Sequence, residues 1–418
     1  MTPRPPTPPT DAGSPGLSRR RVLSSAVRFV ATAGAASGMA SLGAEAAGAA
    51  TDGQLVVVFL RGGMDGLSVV VPAEDPQLLA ARPDLAVREA VLLPLDRGFG
   101  LHPALAPLHG FWKLGQMAAV HAVSTPDISR SHFQAQDCLE RGGAGSGTTS
   151  GWLDRVLETL PQGTQFRAVA QGSGLPRSLA GSQPSLSMEK LERLKISSWE
   201  GYRAEVLKTL EAIHHGVGSQ EAEVMKAIEA SKRAQAIVGE AQGQQLPGYG
   251  EDPFSQGMGE IARLIKSDLG VRVAAIDLDG FDTHHGQGDA DGGRLHDILD
   301  KVGKAVAAFA DDLGDRWKHV TVVLMTEFGR RIEQNGSGGT DHGHGSVVLL
   351  LGAGLVGGKV HGNWQGLAPE VRDQGDVPGL NDFRNVLGDL VVGRLGFSPA
   401  QVAKVFPGHR YQSLGLMR

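Results

Sequence analysis

Acidic residues and histidines follow apolar, strand-like runs at several distant points in this sequence. The run LVVVFLRGGMDG (55–66) leads to Asp65, and VTVVLMTEFGRR (320–331) leads to Glu327. After VAAIDL, the segment DGFDTHH (279–285) carries two acids and two histidines, and GGTDHGHG (338–345) precedes the apolar stretch SVVLLLGAG. Because the carboxyl ends of parallel strands open onto one crevice, we predict that these side chains share a site. The predicted site contains Asp65, Asp279, Asp282, His284, His285, Glu327, Asp341, His342 and His344.

Carboxylates and imidazoles are the oxygen and nitrogen ligands of zinc, manganese and similar divalent metals. The chain has a single cysteine, Cys138, which excludes an intramolecular disulfide and a cysteine-rich zinc site. A metal would therefore be held by nitrogen and oxygen atoms, and the pattern predicts one or two divalent ions. Taken alone, Asp65 would be explained more simply as a residue of a glycine-rich turn. The other segments favour the metal hypothesis.

The segment SRSHF (129–133) combines two hydroxyls, a guanidinium and an imidazole at the predicted start of a helix. Backbone N–H groups at a helix start favour anions such as phosphate or sulfate. A hydroxyl that lies against a metal becomes a nucleophile. Serine also commonly caps helices, so Ser129 and Ser131 have a purely structural alternative, and His132 could simply pack against the next turn.

The elements that would position these residues alternate along the chain. Strands are predicted over 55–60, 118–124, 271–278, 320–326, 346–352 and 359–364, and helices over 134–142, 151–160, 254–269, 294–313 and 382–396. Helices that alternate with continuous apolar strands are typical of a parallel sheet covered on both faces. We therefore predict an α/β fold with a doubly wound, mainly parallel sheet. The charged segment of helical period over about 188–245 is predicted to be a helical insertion beside the sheet.

The first fifty residues have the order of an export signal. Residues 1–17 are rich in proline and threonine, and SRRRVL, with Arg19 and Arg20, precedes a weakly apolar stretch and small residues suited to cleavage at 44–49. This order predicts a twin-arginine signal, with a disordered basic tail as the alternative. The protein would then act in the periplasm or outside the cell. Residues 51–418 are predicted to form a single domain.

The formal net charge of −5 gives no overall attraction to nucleic acid or to anionic lipid, so neither partner is predicted. Beyond the leader, no run reaches the roughly 18 uninterrupted apolar residues of a membrane span, so we predict no span in the mature protein. The partner expected from the site is a small anionic ester. A protein partner at the cell surface is the alternative.

Five ordered motifs make the sequence similar to the DUF1501 family. They are RGGMDG (61–66), SRSHF (129–133), FDTH (281–284), TEFGR (326–330) and GTDHG (339–343). Members of this family also carry a twin-arginine leader, and the match covers nearly the whole mature chain. The family takes its name from its unknown function, so the resemblance implies a fold more than an activity.

The DUF1501 family in turn resembles the alkaline phosphatase and sulfatase superfamily, which implies an alkaline phosphatase-like fold with two divalent metals. By order along the chain, the resemblance implies that Ser131, or else Ser129, is the nucleophile, with Arg130 and His132 beside it. The implied metal ligands are Asp65, Asp282, His284, Glu327 and a final histidine, either His342 or His344, with Asp341 as a further candidate ligand. Glu327-Phe328 stands where the superfamily carries an Asp-His pair, which removes one imidazole and leaves one metal, or none, as alternatives to two.

These residues predict an exported, metal-dependent hydrolase of phosphate or sulfate esters. The metal would activate Ser131, and Arg61, Arg130 and Arg330 would hold the ester oxygens. The alternative is a non-catalytic exported binding or assembly protein with a degenerate phosphatase-like site, because a fold does not imply a function. A serine acyl hydrolase is disfavoured, since the sequence has no GxSxG elbow.

Overall fold

The structure is a computed structural model that describes residues 52–143, 148–164, 166–190, 246 and 248–418, with a few isolated positions between 228 and 237. The predicted export signal, with Arg19 and Arg20, lies outside the described residues. So does most of the predicted helical insertion. Among the residues that are described, no helix is both long enough and apolar enough to cross a membrane.

The described residues form strands and helices that alternate along much of the chain. The strands are β1 (Gln54–Leu60), β2 (Val70–Pro72), β3 (Leu93–Pro94), β4 (Phe99–Leu101), β5 (Met117–Ser124), β6 (Ala168–Gln171), β7 (Leu186–Met188), β8 (Val273–Leu278), β9 (Val320–Met325), β10 (Arg330–Gln334), β11 (Thr340–His342), β12 (Ser346–Gly352), β13 (Lys359–His361) and β14 (Asn381–Asp382). The α-helices are α1 (Gly66–Val69), α2 (Pro76–Ala81), α3 (Ala106–Lys113), α4 (His132–Glu140), α5 (Trp152–Thr159), α6 (Pro253–Lys266), α7 (Arg294–Leu313), α8 (Phe383–Leu395) and α9 (Pro399–Val405).

A nine-stranded sheet forms the centre of the fold. Eight of its strands run in the order β13, β5, β12, β9, β1, β8, β6 and β7, and β14 pairs with β5. The strand β1 is parallel to both of its neighbours, with Val57 opposite Ala275 on β8 and Val323 on β9. Of the described strands in this sheet, β12 alone runs antiparallel, between β5 and β9. The prediction of an α/β fold with a mainly parallel sheet is confirmed.

Helices cover both faces of this sheet, because the side chains of β1 alternate between two buried layers. Val56 and Val58 pack in one core with residues of α3, α6 and α7. Leu55 and Val57 pack in the other core with residues of α5, α8 and α9. Successive residues of a strand point to opposite faces, so a strand that is apolar throughout requires cover on both sides.

The strand directions bring the loops of the predicted site to one edge of the sheet. The carboxyl ends of β1, β5, β8 and β9 open there. The antiparallel strand β12 begins at the same edge, where Ser346 pairs with Val123 near the end of β5. Between β9 and β12 the chain forms the hairpin β10–β11, in which Arg330 lies opposite His342. Five segments that are distant in sequence therefore meet at this edge.

The predicted elements agree with the observed ones to within a few residues. Helix α7 and strand β12 occupy their predicted ranges, 294–313 and 346–352. Sequence periodicity does not predict β6, β7 or the small antiparallel sheet β2–β4–β3, because strands of two to four residues are too short to show a period. It also does not predict the direction of β12.

Candidate metal centre

Three histidines surround the carboxylate of Asp282 at this edge of the sheet. His132 begins α4, His284 lies with Asp282 in the loop after β8, and His342 ends β11. Asp282 Oδ1 lies 3.1 Å from His284 Nε2 and 3.2 Å from His342 Nε2. It lies 3.5 Å from His132 Nε2. The Nε2 atoms of His284 and His342 are 2.9 Å apart. Three nitrogens and one carboxylate oxygen thus converge.

Each of the three imidazoles is held through its other ring nitrogen, Nδ1. The acceptors are Glu327 Oε1 for His132 (2.8 Å), Asp341 Oδ1 for His284 (2.9 Å) and the backbone oxygen of Arg130 for His342 (2.9 Å). An oxygen acceptor at Nδ1 requires the proton on that nitrogen, and this assigns the tautomer of each neutral ring. The Nε2 atom of each neutral ring then carries the lone pair and lies within 3.5 Å of Asp282 Oδ1.

This donor set fits one divalent metal ion. Three imidazole nitrogens and a carboxylate oxygen suit a tetrahedral site, and an oxygen acceptor behind each imidazole is the usual arrangement of metal-binding histidines. His132 Nε2 is buried and has no hydrogen-bond partner among the described residues. One ligand atom each of His132, Asp282 and His342 lies within 4.8 Å of the other two, and His284 Nε2 lies beside this group, 2.9 Å from His342 Nε2. Ligand bonds of about 2.0–2.1 Å to a central ion span most of such a separation.

The protonation of the rings is consistent with a cation site. The hydrogen bond to Glu327 raises the pKa of His132, which favours the protonated ring when no metal is bound. Burial lowers the pKa of His342, which favours the neutral ring that a metal requires. Two Nε2 lone pairs 2.9 Å apart repel each other unless a proton or a cation lies between them. The centre therefore needs positive charge from one source or the other.

Glu327 lies behind His132 rather than among the atoms that face Asp282. It is fully buried and accepts hydrogen bonds from the Gly62 N–H (2.9 Å), from Gln136 Nε2 (2.9 Å) and from His132. Burial acts to raise the pKa of Glu327, but these hydrogen bonds outweigh it and set the pKa at about 2. The structure thus gives this charged carboxylate the role of orienting His132.

Arg330 is buried and is bonded entirely to the protein. It donates to Asp282 Oδ1 (2.6 Å), to the carbonyl oxygens of Gly63 (2.7 Å) and Thr340 (3.0 Å), and also to that of Gly62. Burial acts to raise the pKa of Asp282, but the hydrogen bond from Arg330 leads the effects that lower it to about 2. Arg330, predicted to bind substrate, therefore joins three loops and keeps Asp282 ionised.

Phe328 forms the wall behind the imidazoles. Its ring centroid lies 4.8 Å from that of His132 and 4.9 Å from that of His342. The loop after β1 passes directly over this ring at Gly63, which has a φ of +68°, and a Cβ atom there would collide with the Phe328 ring. Glycine is required at this position by both the conformation and the space.

Asp65 lies at the same edge but is not part of the cluster. Its carboxylate accepts from Arg82 Nη1 (2.5 Å) and Nη2 (3.0 Å), from Ser68 Oγ (2.7 Å) and from Gln287 Nε2 (2.7 Å). Three of these donors meet Oδ2 and one meets Oδ1, so both oxygens are bonded within the protein. Burial acts to raise the pKa of Asp65, but Arg82 outweighs it and the pKa is lowered. The Arg82 guanidinium supplies the positive charge that the superfamily resemblance assigned to a metal.

The two serines of the SRSHF segment differ in their contacts. The Ser129 hydroxyl donates to Asp127 Oδ1 (2.5 Å) and accepts from the Ser131 N–H (3.1 Å). Ser131 stands at the N-cap position of α4, but its side chain makes no capping hydrogen bond. Ser131 therefore does not cap the helix through its side chain. It directly precedes His132 in the sequence, which is a residue of the cluster.

Arg61 lies outside the cluster and is committed to the protein. It donates to Asp277 (2.8 Å), Gln136 (3.1 Å) and Glu140 (3.0 Å). These contacts join the end of β1 to the end of β8 and to α4. Because Gln136 also donates to Glu327, the Arg61 network helps to fix the helix that carries His132.

The two histidines in each of the pairs His284/His285 and His342/His344 differ in position. His284 and His342 face Asp282, whereas His285 is exposed and His344 Nδ1 lies 3.4 Å from Asp373 Oδ2. Asp341 lies behind His284, and hydrogen bonds from Asn335 and His284 lower its pKa. The structure therefore brings together His132, Asp282, His284 and His342, with Glu327 and Asp341 directly behind them.

Several residues of the site were not predicted from the sequence. Arg82 neutralises Asp65, and Gln287 presents Nε2 to Asp65 because its oxygen accepts from Thr283 and Thr340. Gln136 was not predicted either, although it follows His132 by four residues and that spacing places both side chains on one face of a helix. The contacts of Arg82 and Gln287 join distant segments and have no local pattern.

A model of the family described as "Protein of unknown function (DUF1501)" matches residues 98–389, which is more than half of the chain. The match spans four of the five motifs recognised in the sequence and confirms the resemblance that they indicate. No curated protein matches the chain in sequence.

Three solved structures show a distant similarity. The chain is similar to the PsFucS1 sulfatase from Pseudoalteromonas sp., with a TM-score of 0.38 and 12% identity over 88% of this chain and 73% of that one. It is similar to the C-terminal periplasmic domain of EcEptC from Escherichia coli, with a TM-score of 0.36 and 12% identity over 87% and 92%. For the lipoteichoic acid synthase LtaP from Listeria monocytogenes, the TM-score is 0.33 and the identity 9% over 87% and 75%. The fold class stated above rests on the strand order and directions of this chain itself.

Proposed function

The chain belongs to the DUF1501 family, and we propose that it is a metal-dependent hydrolase of phosphate or sulfate esters. One divalent ion would be held by His132, Asp282, His284 and His342. One observation carries this proposal: all three imidazoles have Nδ1 against an oxygen acceptor, so that their Nε2 atoms meet at Asp282. That arrangement is typical of metal-binding histidines and is unfavourable without positive charge at its centre.

The donor set supports zinc as the metal, with manganese as the alternative. A bound divalent ion polarises an ester oxygen and lowers the pKa of a hydroxyl or water beside it. The proposal is for one ion rather than the two expected from alkaline phosphatases, because Arg82 already neutralises Asp65. Glu327 and Asp341 would hold His132 and His284 in place.

Ser131 is the proposed nucleophile. It directly precedes His132 and its hydroxyl does not cap α4, whereas the Ser129 hydroxyl donates to Asp127. In the proposed reaction, Ser131 Oγ bonds to the phosphorus or sulfur atom while the bond to the alcohol oxygen breaks, and the hydroxyl proton passes to that oxygen. Water then hydrolyses the serine ester and regenerates the hydroxyl.

Metal content tests the centre directly. The mature protein, purified without chelator and without metal-affinity resin, is expected to hold about one equivalent of divalent metal. His284→Ala should lose that metal. His285→Ala is the matched control, because the adjacent histidine is exposed and outside the cluster, and it should keep the metal. Absence of bound metal in the wild type, even after reconstitution with zinc or manganese, would refute the proposal.

Hydrolysis is tested on the same preparations with p-nitrophenyl phosphate and p-nitrophenyl sulfate. The wild type and His285→Ala should release p-nitrophenol, and His284→Ala should not. A protein that binds metal tightly but hydrolyses neither these esters nor a wider panel of phosphate and sulfate esters would contradict the enzymatic part of the proposal while leaving the metal centre intact.

The alternative function is a non-catalytic exported binding or assembly protein, and one observation favours it. The guanidinium groups of Arg61, Arg130 and Arg330, predicted to hold the ester oxygens, are all engaged in ion pairs with protein carboxylates. An anionic ester would then depend on the metal and on backbone N–H groups for its binding. Bound metal without hydrolysis is the outcome that would support this alternative, with a cell-surface protein as the partner.

We also propose that residues 51–418 form one domain that is exported through the twin-arginine pathway to the periplasm or the cell exterior. The sequence SRRRVL, with Arg19 and Arg20, supports this proposal. Fractionation of cells that express the wild type or the Arg19→Lys/Arg20→Lys variant tests it. The wild type should leave the cytoplasm and the variant should stay there; equal distribution of the two would contradict export by this signal.

A further inference from the structure

We propose that Asp376 is a positioning residue that orients His342 through Arg130. The inference rests on the proposed function, because His342 is one of the three imidazoles of the metal centre. His132 and His284 are each held by a carboxylate, whereas His342 is held by a backbone oxygen. The direction of that oxygen depends on the main-chain conformation of Arg130, and a side-chain contact of Arg130 stabilises this conformation.

Arg130 adopts an unusual backbone conformation. Its φ is +55°, in the left-handed region that is unfavourable for residues with a Cβ atom. In this conformation the carbonyl oxygen of Arg130 lies 2.9 Å from His342 Nδ1. Strained conformations of this kind persist only where surrounding contacts hold them, and they cluster at functional sites.

The contact that holds Arg130 is an ion pair with a buried carboxylate. Arg130 Nε and Nη2 lie 2.9 Å and 2.5 Å from Asp376 Oδ2. Asp376 is fully buried, whereas the Arg130 side chain is 31% exposed. A charge-assisted pair with one buried partner is stronger than a surface pair. It can therefore oppose the tendency of residue 130 to relax into an ordinary conformation.

Asp376 is itself fixed relative to His342. Its backbone exchanges hydrogen bonds with Asp373 (2.9 Å and 3.0 Å), which closes a tight turn. Within this turn, the Gly375 carbonyl accepts from the Ile332 N–H of β10 (3.3 Å). The turn is thus anchored to the β10–β11 hairpin that carries His342. Arg130 spans from this turn to the imidazole, with its side chain on Asp376 and its carbonyl on His342.

Substitutions at both ends of the ion pair test the inference. Asp376→Asn keeps the shape of the side chain but removes its charge, and Arg130→Ala removes the guanidinium. Both should weaken zinc binding by about 10-fold in competition with a chelator, the lower end of the loss seen when a partner behind a metal ligand is removed. Arg130→Gly should bind zinc within about threefold of the wild type, because glycine adopts the left-handed conformation without help. Asp376→Asn should have no further effect in the Arg130→Gly background.

A second measurement works on the metal-free protein and separates this inference from the proposed function. The ¹⁵N shifts of the His342 ring should show the proton on Nδ1 in the wild type and in Arg130→Gly, and a mixture of tautomers in Asp376→Asn and Arg130→Ala. If the wild type binds no zinc, the proposed function fails but the ring shifts still decide the inference.

Two results would overturn it: a wild-type tautomer and zinc affinity in Asp376→Asn, or an equal loss in Arg130→Gly and Arg130→Ala. The second result would mean that the guanidinium charge matters rather than the backbone it holds. Circular dichroism of all variants shows whether each is folded. If Asp376→Asn fails to fold, the comparison of Arg130→Gly with Arg130→Ala still decides the test.

Discussion

The buried ion pair of Asp65 and Arg82 provides a direct test of whether a carboxylate at this sheet edge is structural or binds metal. The resemblance to alkaline phosphatases implies a ligand, whereas the structure places Asp65 in an ion pair whose two side chains are 1% and 0% exposed. We predict that Asp65→Asn lowers the free energy of unfolding by several kcal/mol and leaves the metal content unchanged. Removing one partner of a buried pair strands the charge of the other, which typically destabilises by about 3–5 kcal/mol.

The remaining contacts of Arg82 and Asp65 determine how much each variant should lower the free energy of unfolding. Arg82 also donates to the carbonyl oxygens of Ile332 (2.8 Å) and Arg331 (2.7 Å), so Asp65→Asn leaves the guanidinium partly satisfied and should cost about 3 kcal/mol. Arg82→Met leaves the Asp65 carboxylate with only neutral donors and also frees two carbonyls, so it should cost about 5 kcal/mol. The double variant should cost less than the sum of the two, because it strands no charge.

Urea unfolding, followed by the fluorescence of the five tryptophans, measures these differences, and metal analysis is made on the same samples. Asp268→Asn is the matched control, since it removes an exposed ion pair with Arg316 and should leave the unfolding midpoint unchanged. Loss of metal in Asp65→Asn with little loss of stability would refute the structural role and identify Asp65 as a ligand.

Three further predictions concern the same edge of the sheet. Glu327→Gln should weaken zinc binding by about 10-fold in chelator competition, because it removes the charge behind His132; unchanged affinity would contradict that role. Ser131→Ala should keep the metal but lower ester hydrolysis on the order of 10³-fold or more, whereas Ser129→Ala should retain most of the activity, and the reverse result would make Ser129 the nucleophile. Burial raises the pKa of Asp65, but Arg82 lowers it by more, so the net pKa lies below the usual value. The difference in unfolding free energy between wild type and Asp65→Asn should therefore be constant above the unfolded-state pKa of about 3.9. It should shrink as the pH falls through the folded-state pKa. Urea titrations from neutral to acid pH check this, and a difference that grows in acid would contradict it.

The convergence of the site could be predicted from the sequence, because it follows from strand direction. Asp282 and Glu327 each follow a continuous apolar run, and parallel strands carry such residues to one edge. His342 instead lies shortly before β12, and it reaches the same edge because β12 runs antiparallel. The apolar run of β12 is compatible with either direction, so the sequence does not predict this geometry.

The choice among neighbouring residues could not be predicted, because it depends on loop conformation. His284 faces Asp282 and His285 is exposed, although both follow the same strand. The alternation that fixes side-chain direction within a strand ends where the strand ends. Arg82 is a similar case, since it reaches Asp65 from the end of α2 and has no motif around it. Contacts of this kind are set by tertiary packing.

Asp65 and Asp282 share one sheet edge and one requirement, since a carboxylate withdrawn from water needs a cation. Four donors surround the Asp65 carboxylate, and both of its oxygens are bonded. Asp282 is 46% exposed, and the contacts that it makes within the described part of the chain go to Oδ1. The Nε2 atoms of three imidazoles also lie near Oδ1, and in the neutral rings these atoms carry no proton to donate. Arg330 already pairs with Asp282, so the demand for a further cation comes from the imidazole nitrogens that meet there, two of which are 2.9 Å apart. This is why we expect one metal ion at an edge where the superfamily resemblance implies two.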